Sequence, residues 1–185
     1  MHVFLIRHPR PRVEAGICYG RLDLDTDDAE PVASRLRSLL PAATPLISSP
    51  LLRARRLAEL LHEQPTYDDR LREIDFGNWE GQRWADIDRA AIDAWAADVL
   101  HFAPPGGESV AMLQARAIAC ATALSGERCA LLTHAGVMRA LLGHWLRLPV
   151  GEWSQLAFDF GSLTLLEVEG ERAVLRYMNR VSLSR

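Results

Sequence analysis

Cysteine is scarce: Cys18, Cys120 and Cys129 are the only three among 185 residues, and no two of them stand in C-x-x-C spacing. That excludes a disulfide framework and a cysteine zinc module, and it predicts reduced thiols in a cytoplasmic protein, with Cys120 and Cys129 simply packed in the interior. An excess of basic charge is also absent. The formal net charge is −3, so the surface as a whole offers no footprint for nucleic acid or an anionic membrane. No apolar run approaches the length of a membrane span, and the apolar part of "MHVFLIRH" is too short for a signal sequence. There are no internal repeats, no low-complexity tracts and no linker rich in Gly or Ser, which predicts a single domain over residues 1–185. Histidine pairs in H-x-H, H-x-x-x-H or H-E-x-x-H spacing are missing, and so is a G-x-S-x-G elbow around Ser48 or Ser49, which disfavours both metal catalysis and a serine nucleophile.

What is present is a chain with 49% hydrophobic and 24% charged residues, enough for one sizeable core. Short apolar runs alternate with helical patterns. "VFLI", "PLIS" and "CALLT" read as central strands. The segments Glu30 to Leu40 and Leu51 to His62 repeat leucines at helical spacing, and "GVMRALLGHWL" forms a further helix. The alternation predicts an α/β/α sandwich with a mostly parallel sheet. The sheet should finish with an antiparallel hairpin near Glu169-Gly170-Glu171. Residues 65–107, which hold Trp79, Trp84 and Trp95, read as a helical cap inserted over one end of the sheet. Those tryptophans would serve either as packing or as a surface for an aromatic leaving group.

Each central strand ends in a group with chemical use. "FLIRH" presents Arg7 and His8, "LISSPLLRA" presents Arg53, and "LLTHAG" presents His134, and parallel strands would gather all of these in one crevice at their carboxyl ends. "LREIDFGNWEG" adds Glu73 and Asp75. Two arginines, two histidines and a carboxylate suit phosphoryl transfer through a covalent intermediate. Guanidinium forks match phosphate oxygens and stay charged, and the same charges disfavour imidazolium, which keeps a histidine nucleophile neutral. A carboxyl group beside a phosphate dianion keeps its proton more readily, so Glu73 or Asp75 could protonate the leaving oxygen. Taken singly, each of these residues has a plainer role. His2, His62, His101 and His144 read as structural, Arg55 and Arg56 as a solvated helix face, and "GGES" as a loop opening a capped helix.

Five segments in this order resemble the histidine phosphatase superfamily, in the branch that contains phosphoglycerate mutase: "LIRHP", "SSPLLRA", "LREIDFGNWEG", "PPGGES" and "LLTHAGVMRAL". The resemblance implies that His8 becomes phosphorylated, that Arg7, Arg53 and His134 hold the phosphate, and that Glu73 is the general acid. It also implies a small phosphate-ester substrate, no metal and no organic cofactor. Within the family, "CYGRLDLD" together with "PPGGES" is similar to the α-ribazole phosphatases. That similarity implies removal of the 5′-phosphate of α-ribazole phosphate in cobalamin biosynthesis. A phosphatase of broad specificity, a protein phosphohistidine phosphatase and a non-catalytic phosphate-binding module are the alternatives. Glu14 stands where the mutases place Asn, which weighs against a mutase. Two positions depart from the family pattern. Pro9 replaces the usual Gly after the histidine and has no N–H to donate. Leu57 replaces a Thr and should affect packing rather than chemistry.

Overall fold

The computed structural model describes residues 1–170 and 172–181. Six strands, β1 (His2–Arg7), β2 (Leu46–Ser48), β3 (Thr66–Tyr67), β4 (Arg128–Thr133), β5 (Leu163–Glu169) and β6 (Arg172–Arg180), form one sheet in the order β3-β2-β4-β1-β5-β6. β1 to β4 run parallel to one another. β5 is antiparallel to β1, and β6 is antiparallel to β5. The expected mostly parallel sheet with an antiparallel finish is what forms, and five of the six strands therefore point the same way.

The apolar runs of β1 and β4 are continuous because both faces of the sheet are covered. Val3 and Leu5 of β1, with Cys129 and Leu131 of β4, face a core that includes residues of α4 (Val110–Thr122) and α5 (Ala135–Trp145). Phe4, Ile6, Ala130 and Leu132 face the opposite core, which includes residues of α1 (Glu30–Leu39) and α2 (Leu52–Leu61). Leu57 is fully buried in that second core. Helices thus cover both faces of the sheet. Among the described residues no helix is long and apolar enough to cross a membrane.

A third, smaller core is built on the segment between β3 and α4, which contains α3 (Arg89–Ala97), and takes in Cys18 from the loop between β1 and α1. It gathers Cys18, Trp79 and Ile87 with Phe76, Trp84, Trp95 and Phe102. Trp84 stacks on Trp95 at 5.9 Å, Trp79 on Phe102 at 6.0 Å, and Phe76 meets Trp84 edge-on at 5.3 Å. These rings bury one another, so of the two roles open to the tryptophans, packing is the one their geometry fits. The glycines here serve backbone contact. A Cβ on Gly77 would lie 2.3 Å from the Pro105 carbonyl oxygen, and one on Gly107 would lie 2.4 Å from that of Asp75. Loops 75–78 and 104–108 therefore pack backbone against backbone, joined by Asn78 N–H to Pro105 O and Glu108 N–H to Asp75 O, each 2.9 Å.

All three cysteines are free and buried. Burial pushes the thiols of Cys18 and Cys120 up to about 12 and that of Cys129 to about 11, so none presents a thiolate near neutral pH.

Candidate active site

The carboxyl ends of β1, β2 and β4 are tied side by side by main-chain bonds just past the regular ladder. His8 N–H donates to Thr133 O at 3.0 Å, and Ser49 N–H donates to Leu132 O at 2.8 Å. This lateral pinning brings His8, Ser49 and His134 into one buried cluster, with the two imidazole centroids 4.8 Å apart. Arg53, one residue into α2, is fully buried. Its Nη1 donates to Leu22 O at 2.9 Å and its Nη2 to Gly20 O at 2.6 Å, while Nε lies 3.4 Å from His8 Nε2.

The protonation of His8 follows from its neighbours. Nδ1 is 2.6 Å from the Pro9 carbonyl, which can only accept, so Nδ1 carries the hydrogen. Nε2 faces a guanidinium N–H and therefore keeps its lone pair. Burial and then the Arg53 charge push the His8 imidazole well below its ordinary range; the Pro9 bond opposes them, and the Arg7 charge adds the smallest contribution in the lowering direction. His134 is lowered in the same direction by burial, then by Arg53, His8, Arg116 and Arg7. Both rings are therefore neutral near pH 7, and His8 offers an unprotonated nitrogen in a cationic pocket.

His134 Nε2 is 2.8 Å from Ser49 Oγ, while its Nδ1 is buried and has no protein partner. Arg7 donates through Nη1 to the Phe158 carbonyl, and its Nε is likewise buried and unpartnered. Leaving a buried donor unpaired costs about 1–3 kcal/mol. An anion supplying oxygens to both atoms would recover that cost.

Glu73 joins the cluster from the loop after the turn Asp69–Leu71. Its Oε2 accepts Gly136 N–H at 3.1 Å in the first turn of α5, and its Oε1 accepts the neighbouring Ile74 N–H at 3.0 Å. Its charge acts on both Arg7 and Arg53. Gly136 is required for this approach, because a Cβ there would lie 2.3 Å from Glu73 Oε1. We expect Gly136→Ala to displace the carboxylate and lower kcat/KM on alkyl phosphates about 100-fold, the penalty for about 1 Å of misplacement. Steady-state kinetics beside a melting curve checks this: the loss should appear with the melting temperature unchanged, and a loss that tracks a lowered melting temperature would mark a fold defect instead.

Arg7, His8, Arg53, Glu73 and His134 are thus brought together. Asp75 is not. Its Oδ1 accepts Gly77 N–H at 2.8 Å and its Oδ2 pairs with Arg21 at 3.3 Å, so it is spent on the loop rather than on the cluster. Three features carried no local signal in the sequence. Phe160 lies 5.6 Å from His8, with Arg7 above its ring at 3.8 Å and Arg10 at 4.9 Å. Ser49 is the partner of His134, although "SSP" invited a reading only as a nucleophile. Glu108, in "GGES", is a buried carboxylate that accepts from Asp75 N–H, Arg21 and Arg116.

The family model of the histidine phosphatase superfamily (branch 1) matches residues 3–181. The chain belongs to this superfamily. It is a phosphatase, a hydrolase of phosphate esters. It is 31% identical to glucosyl-3-phosphoglycerate phosphatase of Mycolicibacterium vanbaalenii, over 90% of this chain and 83% of that one. Among solved structures, the mycobacterial glucosyl-3-phosphoglycerate phosphatase in complex with VO3 has a TM-score of 0.80 at 31% identity, covering 96% of this chain and 98% of that one. The α-ribazole phosphatase of Shigella flexneri has a TM-score of 0.87 at 24% identity, covering 100% and 99%, and shares the fold.

Proposed function

We propose that this histidine phosphatase hydrolyses a small phosphate monoester through a phosphohistidine at His8. The observation that carries this reading is the state of His8: buried, neutral, Nδ1–H fixed on the Pro9 carbonyl and the Nε2 lone pair held beside Arg53. Nε2 attacks phosphorus in line, and the P–O ester bond breaks with its electron pair going to the leaving oxygen, which takes a proton from Glu73. Water then attacks the same phosphorus, the P–N bond returns its pair to Nε2, and Glu73 accepts the water's proton. Arg7, Arg53 and His134 hold the phosphoryl oxygens, and the lack of an N–H at Pro9 leaves that task to side chains. We take residues 1–185 to act as one domain whose residues 65–107 cap the crevice.

For the substrate, our first reading is α-ribazole 5′-phosphate, on the strength of "CYGRLDLD" and "PPGGES". In support, the two segments meet at the site's rim: Arg21 pairs with Asp75 and Glu108, and the Gly20 and Leu22 carbonyls hold Arg53. The second reading is an ester whose leaving group carries a carboxylate, such as glucosyl-3-phosphoglycerate, and Arg10 favours it. Pro9 and Pro11 flank Arg10, its carbonyl is pinned by Thr26 Oγ1 at 2.7 Å and Asp27 N–H at 3.1 Å, and its exposed guanidinium forms no ion pair among the described residues. It stands over Phe160 in a cavity of about 500 Å³ that also borders Arg7 and Pro9, with Asp27, Asp28 and Asp159 on its walls, so a carboxylate would have to seat on the Arg7 and Arg10 side.

Phosphate release from α-ribazole 5′-phosphate, glucosyl-3-phosphoglycerate and simple alkyl phosphates, with EDTA present, tests these readings. Strong preference for the first supports the cobalamin assignment. Preference for the carboxylated ester, with KM for that ester alone raised about tenfold in Arg10→Gln for the loss of one charged hydrogen bond, supports the second. Indiscriminate cleavage, or cleavage of protein phosphohistidine only, removes both substrate assignments. Tight vanadate binding without turnover identifies a binding module and overturns the enzymatic mechanism.

A further inference from the structure

We infer that Arg116 is a positioning residue for the reaction, acting through Glu73 by fixing the backbone that bears it. The inference rests on the proposed role of Glu73 as general acid. Arg116 lies on α4, outside the phosphate cluster, with its side chain only 15% exposed. A guanidinium has five N–H donors, and all five are used. Nη1 donates to the carbonyls of Arg70 at 2.7 Å and Arg72 at 2.6 Å. Nη2 donates to that of Glu73 at 2.9 Å and also bonds Glu108 Oε1, and Nε donates to Glu108 Oε2 at 3.0 Å.

Three of these bonds go to carbonyls of the segment that delivers the acid. That segment needs them, because residues 72–76 belong to neither a helix nor a strand and have no ladder of their own. Glu108 closes the clamp from the far side. It holds the guanidinium and accepts Asp75 N–H at 3.1 Å, while its own N–H donates to Asp75 O at 2.9 Å. On the sheet side, Thr133 Oγ1 donates to Leu71 O at 2.7 Å, one residue before His134. Glu73 is therefore bracketed between α4 and the end of β4, so its carboxylate keeps a fixed place relative to the two imidazoles. A general acid has to reach the leaving oxygen within about 2.6–3.2 Å, and a loop without this clamp would not hold that distance.

The test compares kcat/KM, which reports the step up to departure of the leaving group, for an alkyl phosphate and for nitrophenyl phosphate, whose leaving group departs without a proton. Glu73→Gln is expected to lose on the order of 100-fold or more on the alkyl ester, the usual contribution of general acid catalysis, and little on the aryl ester. Arg116→Gln should reproduce this selective pattern at about tenfold or more, with partial recovery in Arg116→Lys. The double variant should be no more selective than Glu73→Gln alone, as two changes acting through one group are not additive. Equal loss on both esters in Arg116→Gln, with Glu73→Gln selective, overturns the positioning role and leaves the acid assignment standing. Absence of selectivity in Glu73→Gln overturns the acid assignment and the inference with it. If Arg116→Gln does not fold, Arg116→Lys and Glu108→Gln carry the same comparison, and equal loss on both esters in these two overturns the inference.

Discussion

His8→Ala is expected to abolish turnover, lowering kcat by on the order of 10⁴-fold or more, as removal of a nucleophile does in covalent catalysis. The imidazole is the one group in the cluster that combines an available lone pair with a fixed direction. Nδ1 is locked on the Pro9 carbonyl, which leaves the lone pair on Nε2, where it faces the Arg53 Nε–H at 3.4 Å. His134 is held differently, with its Nε2 engaged by Ser49 Oγ and its Nδ1 without a protein partner to aim it. Trapping distinguishes a lost nucleophile from a lost fold. Wild-type protein quenched in alkali during turnover of radiolabelled substrate should carry acid-labile phosphate, and His8→Ala should carry none while melting cooperatively. Label on the alanine variant would place the nucleophile elsewhere.

Arg53→Met should have the next largest effect, on activity, stability and pH dependence together. Removing a preorganised donor to the transferring phosphoryl group costs roughly 3–4 kcal/mol of transition-state stabilisation, about 10²- to 10³-fold in kcat/KM. The same change strips the Gly20 and Leu22 carbonyls of their donors, and the buried one, on Gly20, costs about 1–3 kcal/mol of stability when left unsatisfied. The sign of the pH effect follows from the charge. Arg53 lowers the His8 imidazole, so its loss lets that value rise, and His8 then protonates at a higher pH as the solution is acidified. Because the proposed mechanism requires neutral His8 for attack, the acid limb of kcat/KM should move to higher pH in Arg53→Met. Substrate ionisation contributes equally to both proteins and drops out of the comparison. An unmoved limb would mean that Arg53 does not set the state of His8. Arg53→Lys, which keeps the charge but not the fork, should retain the wild-type limb with impaired turnover.

The site was legible in the sequence to the extent that its members sit at ends of regular elements. The apolar run of β1 stops at Arg7 and His8, that of β4 stops before His134, and α2 begins beside Arg53. A parallel α/β sheet puts such ends in one crevice. The local pattern did not separate Glu73 from Asp75, because both stand in one loop with no periodicity to orient them, and only the family resemblance singled out Glu73. Their difference arises from partners on other elements: Gly136 of α5 for Glu73, and Arg21 for Asp75.

The sequence by itself determined the alternation of strands and helices, the two-sided burial of β1 and β4, and the order in which cationic and nucleophilic groups follow the strands, since these depend on local periodicity and chain connectivity. Only the tertiary structure decided which distant segments meet in and around the candidate site. Phe160 reaches His8 because β5 returns antiparallel beside β1, the tryptophans of residues 65–107 turn toward one another, and Arg116 spans from α4 to the Glu73 loop. Each of these is a contact between segments distant in sequence. Such contacts are fixed by the register of packed elements and by the need to satisfy buried donors and carbonyls, which no local pattern of residues encodes.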